Sequence, residues 1–232
     1  SSAASDVYKR QSPDSILNMQ TPVGKEIGTA GYYAATVDHS IRAELTVTER
    51  TGMARYTFSS KEKQGTVIIG GGVAATSIQV AAIKITGPHS CEGYAEGGAF
   101  CGIPTPYKVY FVAEFDADAE SFGTWKEERL HANHTFAEGS HSGVYFTFPL
   151  KEGNQAVQYK IGVSYVSVEN ARENLRVENP AWDFSAVRQA TQDKWNEYLG
   201  KIEVEGDNED RQMQFYTCLL YTSPSPRDPK TS

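Results

Sequence analysis

The sequence predicts an all-β domain, an antiparallel sandwich of about ten strands, followed by α-helical segments. Three observations predict it. Short runs rich in β-branched and aromatic residues recur from Gly31 to Val168 with polar turns between them. Glycines at 70–72, 97–98, 102 and 143 sit where turns and bulges are needed. After Val168 the apolar spacing changes from two to three and four.

The candidate strands follow in order. GYYAATVD (31–38), IRAELTVTER (41–50) and ARYTFSS (54–60) open the series. TVIIGGG (66–72), AAIKITG (81–87), CEGYAEGGAF (91–100) and YKVYFVAEFD (107–116) continue it. FGTWKEERL (122–130), SGVYFTFPL (142–150) and VQYKIGVSYVSV (157–168) close it. In 107–116 the alternation places Val109, Phe111, Ala113 and Phe115 on one face and Tyr110, Val112 and Glu114 on the other. Beyond Val168, Asn179-Pro180 breaks the chain and Asp183 can cap a helix starting at Phe184. Phe184, Val187, Thr191, Trp195 and Leu199 then form one apolar stripe, which Gly200 ends. KIEVE (201–205) reads as a short strand, and Asp207 or Asn208 opens another helix.

Both ends read as translated laboratory DNA. SSAASDVYKRQ (1–11) is what a transposase sequencing adaptor encodes, and CLLYTSPSPRD (218–228) is the matching adaptor on the opposite strand. GATGTGTATAAGAGACA underlies DVYKRQ, and its reverse complement underlies CLLYTS. The expected organisation is therefore adaptor at 1–11 and 218–232, a sandwich over 12–170 truncated at its N-terminus, and over 171–217 a helical linker and the start of a further, helical domain, the catalytic one by the resemblance described below. Without the adaptor ends, the 22 basic and 29 acidic residues become 18 and 27, a net charge of −9. That acidity argues against nucleic acid and against an anionic membrane surface as partners. No apolar stretch reaches the ~20 residues of a membrane span.

Candidate sites are sparse. Cys218 belongs to the adaptor reading, which leaves Cys91 and Cys101 either as a disulfide closing a small loop or as two buried thiols. Asp116, Asp118 and Glu120 alternate in the manner of calcium ligands, but without the glycine and distal Glu of an EF-hand they read as a solvated turn. His131, His134 and His141 lie in a polar loop without the cysteine pattern of a zinc site. Asn133-His134-Thr135 is a candidate N-glycosylation sequon. Glu127-Glu128, as neighbours on a strand, would point to opposite faces, and Glu203 and Glu205 would sit on the outer face of a short strand. Gly70-Gly71-Gly72 lacks the GK[ST] of a phosphate loop, and Trp125, Tyr94 and Phe100 form either a sugar platform or core. No residue is assigned a catalytic, substrate-binding or metal-ligating role on this basis.

The order of motifs does carry a resemblance. GYYAATVDHSIRAELTVTERTGMARYTF (31–58), CEGYAEGGAFCG with YKVYFVAEFD (91–116), and YKIGVSYVSVENARENLRVENPAWDFSAVRQATQDKWNEYLGKIEVEG (159–206) resemble consecutive segments of glycoside hydrolase family 92. MQFYT (213–217) is similar to the start of that family's next helical motif. The resemblance implies an N-terminal sandwich joined by helices to an (α/α)6 catalytic barrel. It implies a secreted, calcium-dependent, inverting exo-α-mannosidase acting on mannans or N-glycans. An inverting pair needs an acid and a base about 6.5–9.5 Å apart. By the resemblance, that pair and the calcium ligands lie downstream of Thr217, in a barrel this chain lacks. The chain is then an extracellular or periplasmic fragment whose signal peptide is lost, inactive alone, with the missing barrel and α-mannoside glycans as partners. The alternative is a non-catalytic carbohydrate-binding or adhesive sandwich with a helical stalk. On the first reading, the stripe after Asp183 lacks a partner and is loosely held.

Overall fold

The computed structural model describes residues 23–222 apart from His39, 71–77, 99–104, Glu128, Asn154 and Asp207. Thirteen strands are described: β1 (Val23–Thr29), β2 (Tyr32–Val37), β3 (Ile41–Val47), β4 (Thr51–Thr57), β5 (Gln64–Gly70), β6 (Ile78–Gly87), β7 (Ser90–Gly97), β8 (Tyr107–Phe115), β9 (Ser121–Lys126), β10 (Arg129–Ala132), β11 (Phe136–Glu138), β12 (Ser142–Pro149) and β13 (Ala156–Ser164). Three helices follow, α1 (Val168–Glu178), α2 (Phe184–Leu199) and α3 (Glu209–Thr222). The nine-stranded sheet runs β1-β2-β3-β4-β13-β8-β7-β6-β11, and the four-stranded sheet runs β10-β9-β12-β5. Every described pairing is antiparallel.

The core lies between the sheets, where alternation puts the apolar face of each strand. Ile83, Ile85, Cys91, Ala113 and Phe115 of the large sheet meet Val144, Phe146, Phe148 and Val67 of the small one. Phe115 sits 4.9 Å from Phe146 and 4.8 Å from Phe148 between ring centroids, in tilted contacts. The predicted faces of β8 hold: Phe111, Ala113 and Phe115 line this core, while Val112 packs outward under α1.

Four sequence expectations are corrected. Strand β1, upstream of the first predicted strand, adds an exposed edge to the large sheet. The run 122–130 is not one strand but a hairpin, with Arg129 to Ala132 folded back on Lys126 to Gly123. Glu127 sits at its turn with φ 51°, so the argument from opposite strand faces does not apply to it. Strand β13 stops at Ser164, because the Ser167 hydroxyl accepts from Asn170 N–H and caps α1. Residues 201–205 form no strand; Glu203 and Glu205 lie exposed in an irregular segment.

Candidate functional site at the helix–sheet seam

Helices α1 and α2 lie on the outer face of the large sheet, and that seam brings charged and aromatic side chains together. Helix α1 covers β13 and β8. Ala171 and Leu175 pack on Val112, and Gly162 permits the approach, since a Cβ there would overlap the Ala171 carbonyl. Polar contacts fix its register: Asn174 Nδ2 donates to Val163 O at 2.9 Å, Ser164 Oγ donates to Asn170 Oδ1 at 2.8 Å, and Arg172 pairs with Glu92. At its C-terminal end, Glu178 accepts from Thr48 Oγ1 at 2.6 Å and from Arg50 N–H at 2.9 Å, and pairs with the Arg50 guanidinium. Burial pushes the Glu178 carboxyl up, but those three donors outweigh it and hold the group below its ordinary value.

Helix α2 begins as predicted, with Asp183 Oδ1 accepting from Ala186 N–H at 2.9 Å. The first turn of its stripe has a partner in the sheet, which corrects the expectation that the stripe lacks one. Phe184 is buried edge-on to Tyr32 at 6.4 Å and packs with Met53, while Thr191 Oγ1 donates to Val47 O at 2.6 Å. Gly31, at φ +77°, leaves room that any side chain would take from Thr191. Cations sit on the rings: Arg55 lies 4.5 Å from the centre of Phe184, and Arg188 lies 3.6 Å from that of Tyr32. Glu44 ties the set together, accepting from Arg55 Nε at 2.8 Å and from Tyr32 OH at 2.9 Å. Burial raises the Glu44 carboxyl, yet these donors leave it below its ordinary range. Helix α3 is held more thinly. Tyr216 OH donates to Ile202 O at 3.1 Å and accepts from Val204 N–H at 3.3 Å, while Met213 is 66% exposed.

The other predicted residues are dispersed. Asp116 accepts from Gln158 N–H and Nε2, Asp118 faces His89 Nδ1 at 2.7 Å, and Glu120 pairs with Gln64. Each acid thus has a separate partner rather than a common cation. His131 and His134 stack at 5.2 Å, and His141 lies in the turn before β12. Among the described residues no three His, Cys, Asp or Glu side chains gather as metal ligands. Calcium, which the resemblance implies, has no fitting ligand set there. Trp125 is core, 1% exposed, and Tyr94 lies half-buried beside Tyr110 under Lys108. Cys91 carries a free thiol whose burial pushes its pKa up to about 12. Cys101, Phe100, Gly71, Gly72 and Glu128 lie outside the described residues. Asn133 is exposed in a turn with φ 62°, so its side chain is accessible.

Sequence reasoning missed a cleft of about 280 Å³ between the β9–β10 hairpin and β11. Lys126, His131, His134, Phe136 and Glu138 line it. It holds one carboxylate among the described residues, so it lacks the acid–base pair of a glycosidase. Its only sequence signal was the His-rich loop.

The family models decide which family this architecture serves. That of the glycosyl hydrolase family 92 N-terminal domain matches residues 3–164, and that of the family 92 catalytic domain matches 170–231. The chain belongs to glycoside hydrolase family 92. The two family 92 regions meet between Ser164 and Asn170, at the start of the seam. An uncharacterized secreted glycosidase of Arthroderma benhamiae is 26% identical over 220 residues, 85% of this chain and 28% of the relative. A family 92 inverting mannosidase of Bacteroides thetaiotaomicron superposes with TM-score 0.77 at 24% identity, over 89% of this chain and 27% of that one. A second family 92 α-mannosidase of that organism gives 0.76 at 22%, over 87% of this chain and 28% of its own. The chain thus spans little more than a quarter of each relative's length. No helix among the described residues is long and apolar enough to cross a membrane.

Proposed function

We propose that this chain is the sandwich and first helices of a secreted, calcium-dependent, inverting exo-α-mannosidase that removes terminal mannose from mannans or N-glycans. The observation that carries the reading is the pair of family 92 matches meeting at the seam, with mannosidases among the structural neighbours. Residues 1–11 and 218–232 are adaptor-encoded on this reading, and the acid, the base and the calcium ligands lie in the part of the catalytic unit beyond Thr217. The sandwich packs against that unit and shapes the mouth of its pocket, as sugar sites often form where domains meet. The exposed apolar side chains of Tyr198, Met213 and Phe215 support a covering partner rather than a solvated stalk. Calcium, a hard cation, would be held by oxygen ligands of that unit and suits sugar hydroxyls.

The test is release of mannose from α-mannosides by the 232-residue chain with calcium present. None is expected. Measurable release would overturn the placement of the catalytic groups, and a source gene that continues past codon 217 as CLLYTSPSPRD would overturn the adaptor reading.

A further inference from the structure

Lys160 is the least expected residue of the seam. It lies on the outward face of β13, in register with Met53 of β4 and Glu114 of β8, and is 4% exposed. An ammonium buried there is costly unless its protons are taken up. Nζ donates to Asn179 O at 3.0 Å and to Pro180 O at 3.2 Å, and lies 4.4 Å from the centre of the Trp182 ring. Glu114 Oε2, on β8, stands at 4.0 Å as a partner outside the connector. The other three belong to residues 179–182, between the C-cap of α1 and the N-cap of α2.

Besides Lys160, the connector is held by Trp182, which packs half-buried against the cluster of Tyr32, Ala34, Met53 and Phe184. Asn179 is 1% exposed, and its side-chain Oδ1 and Nδ2 have no hydrogen-bond partner among the described residues. Its backbone is fixed instead, the N–H by Leu175 O and the carbonyl by Lys160. A cation at this position also meets the negative end of the α1 dipole, and the ring of Trp182 offers its electron-rich face.

We infer that Lys160 is a positioning residue: its ammonium gathers the connector carbonyls and Trp182 onto the sheet, and so sets the direction in which the chain leaves the sandwich toward α2. The consequence for a catalytic unit rests on the function proposed above; the latch itself rests on this chain's geometry alone.

The experiment uses the whole chain labelled with 15N-lysine at neutral pH. Expected are a slowly exchanging Lys160 ammonium resonance and cross-relaxation from its protons to the Trp182 ring. In K160M, amide exchange over residues 180–187 should quicken by about tenfold or more, while strands β7, β8 and β12 keep their protection. K160R, which retains the charge and can donate to both carbonyls, should restore most of it. Absence of a protected ammonium in the unaltered chain would overturn the inference, and that readout stands even if K160M fails to fold. Unchanged exchange at 180–187 in K160M would overturn it as well. So would protection lost equally from every strand, which would make Lys160 an ordinary core support. None of these readouts depends on mannose release, so the latch and the proposed enzyme can fail separately.

Discussion

The sandwich interior and the seam under the helices are both rich in aromatic rings, and the rings are stabilised in different ways. Inside, Phe115, Phe146 and Phe148 contact one another and aliphatic side chains, with no charge among them. At the seam, Phe184, Tyr32 and Trp182 each face a cation, and Glu44 and Glu178 gather the donors around them. The first arrangement draws on removal of apolar surface from water. The second draws on charge-assisted contacts at the margin of solvent, which fix geometry more than they add stability. A self-sufficient core and a directional joint are what a domain needs if it must hold a neighbouring domain at a set angle.

The largest break in this comparison should come from Phe146→Ala. The ring is fully buried between Phe115, Phe122 and Phe148, so its loss should cost about 3–5 kcal/mol and lower the main unfolding transition as a whole. Phe184→Ala should cost less, about 1.5–3 kcal/mol, and in a different place. Exchange over α2 should rise while the strands keep their protection. An equal loss in both regions would erase the distinction between core and joint.

Glu178→Gln sharpens it by pH. The folded carboxyl lies below its ordinary 4.5, so its contribution is fully present above that value and is lost as pH falls through the folded pKa. Denaturation should therefore show a gap of about 1–3 kcal/mol at neutral pH, closing in the acid limb. A gap independent of pH would mean that the amide's shape, not the charge, is at issue. Met213→Ser, on the exposed face of α3, should change stability by less than about 0.5 kcal/mol. Alkylation of Cys91, with its pKa near 12, should proceed only on unfolding of the core.

Much of the sandwich was legible because period-two alternation survives wherever one face meets the core, as in Val109 to Phe115. Asp183 and Gly200 bracketed α2 because capping is a local signal. Helix α1 was missed: Val163, Tyr165, Val166 and Val168 keep the β-branched and aromatic composition of β13, which masked the local cap that Ser167 makes on Asn170 N–H. The β9–β10 hairpin hid behind Glu127-Glu128, a pair with no turn signature. The spacing of the α2 stripe was legible, but the partners of Phe184 and Val187 are Tyr32 and Met53, far away in sequence, which no local pattern reveals. Lys160 carries no local signal of burial, standing between Tyr159 and Ile161 as a polar residue in an alternating strand. Only the return of the 179–182 connector over β13 makes it a buried charge.

The most direct test of the division between core and joint is native-state hydrogen exchange across the whole chain. The strongest protection is expected in β8, β12 and β13, intermediate protection in α1 and the first half of α2, and the least in α3, whose described contacts are few. Protection in α3 equal to that of the central strands, in a monomer, would contradict it.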